Sequence, residues 1–467
     1  MSCAAILAAA AQAAAQPIPD CSYDRLMGVA MMVDQQRMKE TVEKLVSFGT
    51  RHTLSSMSDP KRGIGAALNY ADAELRAVGL PVVRPCQTFT GDRIPTPTLV
   101  CNVVAVQRGT ERPNDVVIIT GHIDSRVSDV MDAKSDAPGA NDDGSGTAAV
   151  LEAARILSTQ RFPATIVYAA LSGEEQGLYG GKIMADLAKT LGWNVVANFN
   201  NDIIGNSCGS DKVCDDKSVR VFSEGLRWQG GDLIRADVRK FGGENDSPSR
   251  NLSRFLDSLA EQLPQIGLDV RQVLRNDRFG RGGDHTEFLN AGYPAVRLTV
   301  AIEDYEHQHQ DLRKEKGIKY GDTVDEMDFP YLKKVTALNV AALAAIALAP
   351  PPPAALAEGA VSTDTTIAWD PVVGAVGYRI RWRPTDSNRW VHQLAVPAPG
   401  GQCPVIRDVA SKTKLSCAVV IPHVRVDDWT FGMSSVGADG FESPIASALP
   451  GGAFKPFVPV EEPKKDK

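Results

Sequence analysis

The run VVIITGHIDS, residues 116–125, is a stretch of branched apolar residues that stops on a glycine, a histidine and an aspartate. Branched side chains favour extended backbone, so the run predicts a strand that delivers His122 and Asp124 at its carboxyl end. Downstream the period changes. GTAAVLEAARILST (146–159) predicts a helix, ATIVYAALSGEE (164–175) a strand, GGKIMADLAKTLG (180–192) a helix and NVVANFNNDIIG (194–205) another strand. Strands that alternate with helices imply an α/β fold with a mixed, mainly parallel sheet flanked by helices. AGYPAVRLTV (291–300) adds a late strand, and FPYLKKVTALNVAALAAIALA (329–349) a long closing helix. Upstream, DQQRMKETVEKLVSFG (34–49) and GIGAALNYADAELRAVG (63–79) space apolar residues at three and four and end at glycine, as helices do. LVCNVVAVQRG (99–109) reads as one further strand.

In doubly wound sheets, ligands bind at the carboxyl ends of the strands. Here those ends carry metal-type residues. After His122 and Asp124, GANDDGSG (139–146) supplies Asp142 and Asp143, the strand ending in SGEEQG supplies Glu174 and Glu175, NFNNDIIG supplies Asp202, and EDYEHQHQD supplies His307 and His309. Each alone has a bland reading: a solvated turn for the aspartates, an exposed pair for the glutamates, a core residue for His122. Their concentration at one rim does not. Nitrogen and oxygen donors without cysteine suit zinc, manganese or cobalt. So many carboxylates suggest more than one ion, with a shared carboxylate as bridge.

The 467-residue chain is too long for one ordinary domain. A hydrophobic fraction of 43% and a charged fraction of 23% are those of a globular protein, and a net charge of -7 gives no reason to expect nucleic-acid or anionic-membrane binding. Apart from the alanine-rich start, no uncharged apolar run reaches the ~18 residues of a membrane span. That start reads as a secretory signal over 1–16, although no Lys or Arg precedes its apolar stretch. Beyond Cys3, six cysteines form local couples, Cys86 with Cys101, Cys208 with Cys214 and Cys403 with Cys417, and Cys21 is left over. In an exported chain such couples read as disulfides. Four prolines, 350–353, mark a linker, expected over 350–357. Beyond it TTIAWDPVVGAVGYRIRWRP and DDWTFGMSSVGADGFESPIA give regularly spaced strands, a β-sandwich over 358–450 followed by a charged tail over 451–467. The placement of Trp369-Asp370-Pro371 and of Tyr378 to Trp382 is similar to a fibronectin type III domain.

The segments GHIDS, GANDDGSG, SGEEQGLYGG, NFNNDIIG, GGDHTEF and EHQHQD together resemble the transferrin-receptor-like clan of zinc peptidases, in particular the secreted bacterial aminopeptidases with co-catalytic zinc. They occur in the family's order and cover roughly residues 25–348. The resemblance implies a catalytic domain over 22–349 holding two zinc ions. His122 matches a zinc-ligand histidine and Asp124 the carboxylate that orients it. Asp142 matches the bridging ligand, and Asp143 the next position, which is not a ligand. Glu174 matches the general base, Glu175 the ligand beside it, and Asp202 the last carboxylate ligand. One ion would take His122, Asp142 and Asp202, and the other Asp142, Glu175 and a late histidine. His307 has the common spacing to Asp311, while His309 fits the subgroup with Tyr320-Gly321-Asp322 downstream. His309 is preferred. Asp284 and His285 match a pocket wall. The implied activity is exported, periplasmic or extracellular hydrolysis at peptide or protein N-termini. The fold also serves carboxypeptidases, single-zinc glutaminyl cyclases and receptor-like proteins. A cyclase would lack a full two-zinc set and a receptor would lose ligands, whereas this chain has a candidate at every position.

Overall fold

The computed structural model describes residues 21–225, 238–404 and 415–448. The expected signal peptide, the side chain of Cys21 and the expected charged tail lie outside the described residues. The chain divides into two compact units, the larger over Leu26–Leu348 and the smaller built on the residues from Ala349 on.

The larger unit contains, in chain order, α1 (Cys21–Ala30, which begins ahead of it), α2 (Gln35–Val46), α3 (Ile64–Ala77), β1 (Val82–Val83), β2 (Cys86–Gly91), β3 (Ile94–Cys101), β4 (Val103–Gln107) and β5 (Arg112–His122). Then come α4 (Gly144–Leu157), β6 (Ala164–Leu171), α5 (Tyr179–Thr190), β7 (Asn194–Asn201) and β8 (Ser218–Ser223). The unit closes with α6 (Pro248–Gln262), β9 (Asp269–Val273), α7 (His285–Asn290), β10 (Ala295–Val300), the short hairpin β11 (Arg313–Glu315) and β12 (Ile318–Tyr320), and α8 (Phe329–Leu348).

An eight-stranded sheet runs β1-β4-β6-β5-β7-β10-β8-β9. Its central strands β6, β5, β7 and β10 are parallel. The pairs β1–β4, β4–β6 and β8–β10 are antiparallel, so the sheet is mixed. Its middle follows from β5, where Val116, Val117, Ile118 and Ile119 expose no surface. Val116 and Ile118 pack with Val167, Leu171, Met184 and Phe288 under α5 and α7. The other face is covered by α4 and α8. Burying each such side chain stabilises by about 1.5–3 kcal/mol. α8 is long and apolar enough to cross a membrane by composition alone, but 83% of its apolar window is buried as core. It is pinned to the end of β7 by reciprocal amide hydrogen bonds between Asn339 and Asn201, at 2.8 and 3.1 Å.

The structure departs from the expected elements in three places. The stretch 99–109 is two strands, not one. β3 belongs to a separate hairpin with β2, joined at its base by the Cys86–Cys101 disulfide, while β4 enters the main sheet. Asn102 makes the break, because its side chain accepts from Ser172 N (3.0 Å) and donates to Gly180 O (2.8 Å). Secondly, β8, α6 and β9 extend one edge of the sheet in a segment whose apolar runs are interrupted by Arg and Asp. Thirdly, β13 (Ala355–Glu358) begins inside the expected linker, because Ala-Leu-Ala pairs with the next strand once the prolines end.

The smaller unit continues with β14 (Thr365–Trp369), β15 (Ala375–Pro384), β16 (His392–Pro397), β17 (Cys417–Ile421), β18 (Trp429–Gly437) and β19 (Ala446–Ser447). They form antiparallel sheets β13-β14-β17 and β16-β15-β18-β19. Trp369 and Ile367 from one sheet share a core with Tyr378, Ile380, Phe431 and Met433 from the other, which makes this an all-β sandwich. The Cys208–Cys214 and Cys403–Cys417 couples are also disulfide-bonded.

Candidate metal centre

The end of β5 positions His122, which is 1% exposed. Its Nδ1–H donates to the Asp124 backbone carbonyl at 3.0 Å, which leaves the Nε2 lone pair free. Nε2 faces Asp142 Oδ1 at 3.1 Å and Asp202 Oδ1 at 3.9 Å. The Asp124 carboxylate lies further off, at 3.5 Å from Nδ1. It accepts instead from Thr53 Oγ1 (2.8 Å), Glu174 N (3.3 Å) and Glu175 N (3.2 Å). Asp124 therefore supports the turn after β6 that carries both glutamates.

The two carboxylates of GANDDGSG do different things. Asp143 caps α4, with Oδ1 accepting from Gly146 N at 2.8 Å and from Ile203 N at 3.2 Å, and Oδ2 from His122 N at 2.9 Å. It thereby ties the ends of β5 and β7 to the start of α4. The Asp142–Asp143 peptide bond is cis. Asp142 is held from behind, because Asp322 accepts from Asn141 N (2.8 Å) and Asp142 N (2.6 Å). Its carboxylate looks two ways, Oδ1 toward His122 and Oδ2 toward His309 Nε2 at 2.9 Å.

Glu175 Oε1 stands 2.9 Å from the same His309 Nε2, and Oε2 accepts from Arg126 Nε at 2.9 Å. Arg126 Nη2 also reaches His309 Nδ1 at 2.6 Å. Asp202 is paired with the fully buried Arg297 at 2.8 Å. The donor atoms gather in two groups, His122 with Glu174 and Asp202, and Asp142 with Glu175 and His309. His307 turns elsewhere. Its Nδ1 pairs with Asp304 at 2.7 Å, and it lines a separate, water-sized cavity with Asp322 and Glu326. Asp284 and His285 are buried beside the site. Asp284 accepts from Gly181 N at 2.9 Å, and His285 Nε2 lies 2.9 Å from Asn276 O.

The electrostatics are those of a cation site. Burial would drain the proton from His309, but the Glu175 and Asp142 carboxylates outweigh it and lift the imidazole to about 10. Burial would likewise raise Glu175, yet His309 draws it down to about 2. Burial pushes Glu174 well above the ordinary carboxylate range, opposed by His122 and reinforced by Asp202, Glu175 and Asp284. His122 Nε2 is buried and faces only the Asp142 and Asp202 carboxylates, with no hydrogen-bond donor beside it. Buried polar atoms are rarely left so, and a divalent ion among these groups would satisfy it.

Asp142, Glu174, Glu175, Asp202 and His309 line a cleft of about 390 Å³. Sequence reasoning missed the groups that hold them: Arg126 on Glu175, Arg297 on Asp202, and Gln308, which donates to Asp142 Oδ2 at 3.0 Å. Isolated polar side chains, whether in a loop as Arg126 and Gln308 or within β10 as Arg297, carry no local signal of what they will face.

The profile of Peptidase family M28 matches residues 102–324. A probable zinc metalloprotease from Pyricularia oryzae is 41% identical over 93% of this chain and 86% of its own length. The chain belongs to peptidase family M28. A second probable zinc metalloprotease, from Leptosphaeria maculans, is 39% identical over 93% of this chain and 99% of its own length. Both relatives are fungal, whereas the motifs had suggested a bacterial branch; donor motifs report the chemistry of the site, which an M28 peptidase shares across lineages. The crystal structure of LapB from Legionella pneumophila shares the fold, with a TM-score of 0.50 at 19% identity, covering 70% of this chain and 76% of that one. The M28 family is one of zinc metallopeptidases, and the nitrogen and oxygen donors gathered here fit that metal.

Proposed function

We propose that this M28 peptidase is an exported exopeptidase that removes N-terminal residues from peptides at a site holding two zinc ions. The observation that carries the reading is Asp142, whose two carboxylate oxygens face different donor sets. His122, Asp142 and Asp202 would hold one ion, and Asp142, Glu175 and His309 the other. Zinc there would supply a Lewis acid for the scissile carbonyl and lower the pKa of water. The remaining chemistry belongs to the chain. Glu174 lines the cleft, and its carboxylate, made basic by burial and by the neighbouring acids, takes a proton from the attacking water and returns it to the leaving nitrogen. Arg126 and Arg297 pair with Glu175 and Asp202 and orient them, as outer partners of metal ligands do. Acidic groups along the inner cleft suit the ammonium of a free N-terminus. Three disulfides support export, since such bonds persist in oxidising compartments.

The test is a panel of aminoacyl-4-nitroanilides and N-blocked peptides, assayed with and without chelator, beside elemental analysis. We expect two zinc ions per chain and hydrolysis of the free-amine substrates only, lost on chelation. Activity that survives removal of all metal sinks the zinc mechanism, and turnover confined to N-blocked peptides sinks the N-terminal direction.

A further inference from the structure

We propose that the arginines lining the cleft beside the metal donors receive a carboxylate of the substrate, so that this peptidase selects acidic peptide ends. The inference rests on the exopeptidase reading above and names its substrate class.

Arg93, Arg278 and Arg281 line the cleft together with the metal donors. Among the described residues that line it, Leu178 is the one apolar side chain, accompanied by the glycines Gly177, Gly280 and Gly282. A site for leucine-like residues gains about 25 cal/mol per Å² of apolar surface buried, and here Leu178 is the one apolar side chain among the lining residues to supply it.

Charge is unbalanced in the opposite sense. Glu303 is shared by three guanidinium groups, Arg220 at 2.6 Å, Arg281 at 2.9 Å and Arg278 at 3.5 Å. Asp277 is shared by Arg278 at 3.2 Å and Arg297 at 3.1 Å. Arg93, in the turn between β2 and β3, donates to the Glu175 backbone carbonyl at 2.9 Å and has no acidic side chain in ion-pair reach among the described residues. Arg93 is exposed, and the Arg281 side chain is 32% exposed, so both keep donors accessible to a ligand. Once ions offset the acidic donors, these guanidinium groups set the sign of the cleft. Arginine's planar fork matches a carboxylate with two parallel hydrogen bonds. The carboxylate would be the side chain of an acidic terminal residue or a main-chain terminal carboxylate, and the two are separated by the assay.

The zinc-loaded enzyme is tested on Glu-, Asp-, Leu- and Lys-4-nitroanilide, and on dipeptides with a free N-terminus and a free or an amidated C-terminus. We expect the highest kcat/KM for the Glu or Asp anilide, or, if the main-chain carboxylate is the one bound, for the free-acid dipeptides over their amides. Arg281→Gln and the exposed Arg93→Gln should each lower the ratio of carboxylate-bearing to neutral substrate by about tenfold, the scale of one charge-assisted hydrogen bond. A Leu or Lys preference among the anilides together with no preference for free-acid dipeptides, or ratios unmoved in both variants, overturns the inference and leaves the exopeptidase reading standing. If no substrate is turned over, the exopeptidase reading fails, and calorimetric titration with L-glutamate and L-leucine reads the arginines directly. Binding of glutamate weakened by both substitutions supports their role, and glutamate binding unchanged in both variants refutes it.

Discussion

At the residue scale, the adjacent aspartates of GANDDGSG divide one task. Asp142 presents its two oxygens to two donor sets, so Asp142→Asn, with one oxygen and no charge, should deplete both metal sites together. Asp143 is fully buried and accepts from three backbone amides. Asp143→Asn would set an NH2 group against one of those donors, costing about 1–3 kcal/mol of stability while sparing most of the zinc. Zinc titration and thermal melting of the two variants check this, and equal zinc loss in both refutes the division. Glu174 and Glu175 form a second such pair. Glu174→Gln should abolish turnover with zinc content near wild type, because the proton acceptor is gone. Glu175→Gln should lower metal occupancy as well, because its Oε1 belongs to the His309 group. Wild-type kinetics in both variants would show the proposed roles to be wrong.

At the element scale, the site depends on how closely β5 meets the start of α4. A Cβ on Gly121 would lie 2.4 Å from Gly146 C and 2.7 Å from Gly146 O. That contact sets the new Cβ against backbone atoms and cannot be relieved by a side-chain rotation. Gly121→Ala should therefore destabilise the unit by about 1–3 kcal/mol and weaken zinc binding, since His122 is the next residue. Urea unfolding with metal-affinity measurement tests it, and an unchanged midpoint would mean that the strand and helix have room to part. Elements were legible from sequence where period and boundary agreed, as in β5, α4, β6, α5 and β7. The run 99–109 was not, because Asn102 breaks it through partners at Ser172 and Gly180, about seventy residues away in sequence. β8, α6 and β9 were missed because their apolar positions are interspersed with charges that are paired only in the folded chain, as Arg220 is with Glu303.

At the scale of the whole molecule, each unit has its own core, and every proposed donor lies in the larger one. A chain ending just after Leu348, where α8 stops, should fold and hydrolyse small aminoacyl substrates at a rate within about threefold of the full chain. Circular dichroism and the anilide assay measure this. A folded but inactive truncation would show that the sandwich contributes to catalysis.

The sequence by itself determined the strand-and-helix alternation and the rim at which the candidate donors collect. These are local: a strand's composition, the turn that ends it and the residue at that turn are read within a dozen positions. Three matters needed the tertiary structure. His309, which the downstream motif favoured over His307, is the one that meets Asp142 and Glu175, with the turn setting it at φ 56° and its ring toward Arg126. Asp143 is a buried clasp between β5, α4 and β7, because those elements converge on it. Arginines from separate loops, Arg93, Arg278 and Arg281, come to one cleft because the β2–β3 hairpin and the loop before α7 end beside the same strand tips. A side chain's charge is written in the sequence, but the field it joins is set by neighbours that only folding brings within a few ångströms.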